Sequence, residues 1–159
     1  MGTYSSAASS SHTFHVARPD GPFRRADLEL HGLDHSKASY EGRVFLNNSD
    51  ASVSTPTDEA HGYVGSFFIF GHGGCAGEEG HCDVPSERRP FDRRMEHQLT
   101  SVSKRVVITD ALKRALERAG DSLDVTIVPV VEPEDAEFYS NELLSDLLKL
   151  DRIGINTYL

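Results

Sequence analysis

At 159 residues, with a formal charge of −9 and a pI near 5.3, the chain has the size of one domain. It is too acidic for non-specific nucleic-acid binding, which needs clustered Lys and Arg to displace counterions. No apolar stretch approaches the roughly 20 residues that cross a bilayer as a helix, so neither nucleic acid nor membrane is an expected partner. The start, MGTYSSAASSSH, has no positive n-region and no apolar h-region of a secretory signal; a complete chain of this kind would be cytoplasmic.

Residues 1–12 are Ser- and Ala-rich and read as a disordered lead, leaving 13–159 as a single domain. Thr13–Val16 is a short alternating strand. Residues 26–33 alternate cleanly, with Leu28 and Leu30 on one side and Asp27, Glu29 and His31 opposite. A third strand, 40–46, ends in the turn-forming run Asn47-Asn48-Ser49-Asp50. Residues 49–61 are polar with no period and read as a surface loop. The run 62–70 is almost continuously apolar (Val64, Phe67, Phe68, Ile69, Phe70), too apolar for a half-exposed strand; it is expected to be central, with Phe67–Phe70 in the core.

Beyond a glycine-rich loop and a polar connection, 97–108 is strand-like, with Val102, Val106 and Ile108 on one face. The spacing of Leu112, Leu116 and Ala119 predicts a helix over 110–119, capped by Thr109 or Asp110 and stopped by Gly120. Another strand spans 123–131, and an acidic, turn-rich stretch follows. Leucines 143, 144, 147, 148 and 150 predict an amphipathic helix over 141–150, and 153–159 is a closing strand. The result is mainly β: an antiparallel β-sandwich of about seven strands with one or two short helices.

The chemistry-bearing residues concentrate in GSFFIFGHGGCAGEEGHCDVP, residues 65–85. His72, Cys75, His81 and Cys82 form a set of two thiolates and two imidazoles that suits Zn²⁺ or Cu(I), and the surrounding glycines would let the loop fold back on itself. His97 would add a donor if the chain returns past the loop. The spacing matches no established zinc pattern, so a Cys75–Cys82 disulfide and two free thiols remain open beside the metal. His31 and His35 stand four apart, but Gly32 and the alternating residues before them oppose a helix; they read as surface histidines at a strand end.

Nucleophilic catalysis finds little support. There is no G-x-S-x-G, Glu78 and Glu79 are adjacent and face apart, and the glycine-rich loop lacks the Lys-Ser/Thr of a phosphate cradle. A dyad of Cys82 with His72 or His97 would lack an orienting third group.

The order of ARPD (17–20), YEGRVFLNN (40–48), GYVGSFFIFGHG (62–73), VVITDALKRALERAGDSLDVTIVPV (106–130) and RIGINTYL (152–159) resembles the C-terminal β-sandwich domain of tyrosinases and plant-type polyphenol oxidases. The resemblance implies a hemocyanin-like sandwich packed on a helical di-copper domain, which it shields and from which it can be removed proteolytically. The six-imidazole helical bundle of a type-3 copper centre has no counterpart among the eight scattered histidines. The expectation is therefore a non-catalytic accessory module that covers, stabilises or helps metallate a type-3 copper oxidase domain, in cis or in trans. The alternative is an independent Zn²⁺- or Cu(I)-binding protein built on the cysteine-histidine loop. If the sandwich leaves one face of the 141–150 helix bare, that face would drive homo-oligomerisation.

Overall fold

The structure is a computed structural model and describes residues 10–73, 90–91, 101–117, 120 and 122–159. Seven strands form two antiparallel sheets: β1 (His12–Ala17), β2 (Arg25–Leu33), β3 (Tyr40–Leu46), β4 (Tyr63–Ile69), β5 (Val102–Val107), β6 (Ser122–Val130) and β7 (Arg152–Tyr158). One sheet has the order β1-β6-β3-β4 and the other β5-β2-β7. The mainly-β sandwich expected from the alternation is thus the observed architecture. Its core lies between the layers, where β2 contributes Ala26, Leu28, Leu30 and Leu33, all fully buried, against Val44, Val125 and Ile127 of the facing sheet. Burying each of these Leu, Val and Ile side chains is worth about 1.5–3 kcal/mol relative to exposure.

Three elements differ from the sequence reading. The first is β4, which is an edge strand and not a central one. Phe67 and Ile69 point into the core, while Phe68 and Phe70 are 65% and 78% exposed. An apolar run cannot distinguish a strand buried on both faces from one whose outer face carries aromatic side chains into solvent.

The second is the leucine-rich segment. Its helix, α3, spans only Asn141–Leu144, capped by the Ser140 side chain, which accepts from Leu143 N. Leu144, Leu147 and Leu148 are buried in the main core, with Leu150 partly buried against it. A one-turn helix followed by coil can bury the same leucines as a longer helix, and their spacing does not separate the two.

The third is the loop after β3. Ala51 is buried with Phe45 and Val128, and Val53, Tyr63 and Val130 pack around them, so the loop closes a small second core on the outer face of the four-stranded sheet. Val44 and Phe45 face opposite sides of β3 by ordinary alternation, and both are fully buried because the second core covers the outer side.

The helix after β5, α1, spans Thr109–Leu116. Neither expected cap holds: Ile108 is the N-cap residue, and the Thr109 hydroxyl accepts from Ala26 N of β2 at 3.0 Å. At the other end Arg18 donates to the carbonyls of Leu116 (2.5 Å) and Gly120 (2.8 Å), fastening the helix terminus to the segment after β1. A further turn of helix, α2, spans Pro133–Ala136 within the acidic stretch.

Candidate functional site

Of the donors expected in the cysteine-histidine loop, His72 is described; Cys75, His81, Cys82 and His97 lie outside the described residues. The chain beyond β4 does not leave the sheet edge at once. Gly71 N donates to Ser39 Oγ (2.9 Å), His72 N to the His35 carbonyl (2.8 Å) and Gly73 N to the Lys37 carbonyl (2.8 Å). Residues 71–73 therefore run against 35–39, prolonging the β3–β4 pairing.

Two glycines make this approach possible. A Cβ on Gly71 would collide with the Lys37 carbonyl, and one on Gly73 would come within 2.8 Å of the Lys37 backbone and 2.9 Å of Leu143 Cδ2. The glycines of the loop thus bring His72 against the β2–β3 connection.

His72 faces His35 there. The two Nδ1 atoms are 3.0 Å apart, and the rings meet edge to face with centroids 4.7 Å apart and planes at 82°. The Phe70 ring packs on His72 at 5.6 Å, also edge to face. Both imidazoles are half-buried. The supporting connection is anchored on the leucine-rich segment: Ala38 N donates to the Leu143 carbonyl, Asp34 N to the Lys149 carbonyl, and Lys37 Nζ to the Ser145 carbonyl at 2.6 Å. Burial pushes the Asp34 carboxyl up, but hydrogen bonds from Ser36, with Lys149 and His35 nearby, outweigh it and hold Asp34 below the usual carboxylate range.

Sequence reasoning placed His35 on the surface beside His31 and missed this pair. Its signal was the register: continuing the ladder outward from Tyr40–Ile69 sets Lys37 opposite His72 and brings His35 within reach. His31 itself lies in a polar network on the outer face of the three-stranded sheet, with Nδ1 3.1 Å from Ser103 Oγ and Nε2 3.1 Å from Glu29. That network includes Asp27, whose fully buried carboxylate accepts from Arg25 Nε at 2.8 Å, with its second oxygen 3.5 Å from Arg105 Nε.

Among the described residues no three His, Cys, Asp or Glu side chains are grouped to hold a metal ion. A cleft of about 440 Å³ opens between α1 and the β3–β4 end, lined in part by Leu46, Tyr63, Val64, Ala111 and Arg114. Arg114 is committed to Glu59 at 2.7 Å, and among the described residues no nucleophile–base pair faces the cleft.

No protein-family model matches the chain, and no curated protein matches it. Among solved structures it is similar to a recombinantly expressed latent aurone synthase, a polyphenol oxidase, co-crystallised with hexatungstotellurate(VI): 19% identity, 94% of this chain, 24% of that chain, TM-score 0.53. Latent aurone synthase from its natural source gives 18% identity over 93% of this chain and 24% of that one, with the same TM-score of 0.53. At such identities the likeness is one of fold. Over nearly its whole length, the chain is similar in fold to about a quarter of a latent polyphenol oxidase.

Proposed function

We propose that this chain is a non-catalytic accessory module that covers a type-3 copper oxidase domain, carried in cis or met in trans. The observation that carries the reading is the match of nearly all of this chain to about a quarter of latent aurone synthase. The rest of that polyphenol oxidase is the model for what such a module sits on. The exposed rings of Phe68 on the edge strand and Phe70 just beyond its end support a docking role, since apolar surface left in water marks contact sites. The opposite outer face carries the Arg25–Asp27–Arg105–Glu29 network and is unsuited to an apolar contact.

The test is to add the purified chain to a copper-loaded type-3 oxidase domain from the same source and follow diphenol oxidation. A saturable fall in rate, with co-elution of the two proteins, is expected. Unchanged rates at saturating excess, with separate elution, would end the reading.

A second reading draws support from the placement of His72 beside another imidazole: an independent Zn²⁺- or Cu(I)-binding protein using His72, Cys75, His81 and Cys82. Native mass spectrometry with elemental analysis tests it. One bound metal per chain, lost in the Cys75→Ala/Cys82→Ala variant, is the expected result; a metal-free chain refutes it.

A further inference from the structure

The His35 and His72 Nδ1 atoms are 3.0 Å apart, within hydrogen-bond reach; a pair of neutral rings would place one hydrogen between them, carried by whichever ring the tautomer makes the donor. Two imidazoles bound to one ion at about 2.0–2.1 Å would have their nitrogens about 2.9 Å apart in cis square-planar positions and about 3.3 Å apart in tetrahedral ones. The observed 3.0 Å falls close to the square-planar span. The backbone bonds from His72 to His35 and from Gly73 to Lys37 fix the two Cα positions, so the donors are held together before any ion arrives.

We propose that His35 and His72 form a two-imidazole site for one Cu²⁺ ion. Copper is favoured by its square-planar preference and by its place at the top of the divalent affinity order. Entry of the ion displaces the hydrogen between the rings; it passes through solvent to Nε2 of the same ring, and both histidines ligate as neutral imidazoles. Half-burial leaves room for water to complete the coordination. The site needs neither cysteine and no oxidase partner; it shares His72 with the cysteine-histidine loop reading, and binding with both cysteines blocked tells the two apart.

The experiment titrates the full chain, with Cys75 and Cys82 alkylated, with copper(II) sulfate by calorimetry and electron paramagnetic resonance. The expected result is one Cu²⁺ per chain with a nitrogen-coupled spectrum, weakened about tenfold or more by His35→Ala and by His72→Ala alike. His15→Ala, on β1 at the opposite edge of that sheet, should leave the titration unchanged. His35→Gln, which keeps a hydrogen-bonding group beside His72, provides the same comparison if the alanine variant unfolds. No binding by the alkylated wild type, or loss in the His72 variant without loss in either His35 variant, would overturn the proposal.

Discussion

Replacing both Phe68 and Phe70 by Ala should weaken binding to an oxidase domain strongly while leaving the sandwich folded. Phe68 on β4 and Phe70 just after it are 65% and 78% exposed, whereas their neighbours Phe67 and Ile69 are buried at 4% and 3%. A Phe side chain has roughly 200 Å² to bury, so roughly 140 Å² per ring remains available, worth about 3.5 kcal/mol each at ~25 cal/mol/Å² if fully covered. Interfaces return only part of such area, and about 1.5–2 kcal/mol per aromatic anchor is the working expectation. The double variant should therefore lose about 3 kcal/mol, a rise in Kd of roughly 100-fold or more. Surface plasmon resonance against an immobilised oxidase domain reads that change, and urea unfolding should show stability within about 0.5 kcal/mol of the parent. Val107→Ala, on the outer face of the other sheet, controls for a general loss of surface apolarity. An unchanged Kd in the double variant, or an equal loss in Val107→Ala, would refute the assignment of the docking face.

Gly42→Ala would drive a Cβ into the Phe67 ring, which lies directly on Gly42. Overpacking of this kind costs about 1–3 kcal/mol, and thermal unfolding should fall by roughly 2–4 °C per kcal/mol in a chain of this size; an unchanged Tm would mean that the ring moves freely. Asp58 is held below its ordinary value chiefly by the hydrogen bond with His61, which is 2.6 Å away. A depressed carboxylate stabilises the fold above its unfolded value of 3.8 and loses that contribution as pH falls through the lower folded value. Urea midpoints should drop as pH is taken from 5 towards and below that range, and Asp58→Asn should flatten the slope; equal slopes would contradict the assignment.

Most of the fold was legible because the inner faces of the strands obey period two. In β2 the alternation of Leu28 and Leu30 with Asp27 and Glu29 matches the observed partition of core and outer face, and β3 runs over Tyr40–Leu46 as the pattern places it. The limits of the reading have specific causes. The outward aromatics of β4 gave the composition of a central strand, because periodicity reports which residues are apolar and not what covers them. The leucines 144, 147 and 148 have helical spacing, yet after one turn of α3 they enter the core from irregular chain; burial was predictable there and conformation was not.

The candidate site divides along the same line. Composition singled out His72, and the glycines around it were expected to fold the loop back on itself; Gly71 and Gly73 approach residues 37–39. The partner His35 is 37 positions away and carries no local mark. It becomes visible only when 40–46 is paired with 62–70 and the register is followed past the last ladder pair. Sequence motifs of metal sites rest on short spacings, since a helix or tight loop fixes donors three or four residues apart. A sheet brings donors together through pairing, and the separation along the chain is then set by whatever lies between the strands. In a β-sandwich, pairs of imidazoles should accordingly be sought across extended ladders, at the positions just beyond the last paired residues. His35 and His72 occupy such positions, where the chain is still held by backbone hydrogen bonds and the side chains are already partly in water.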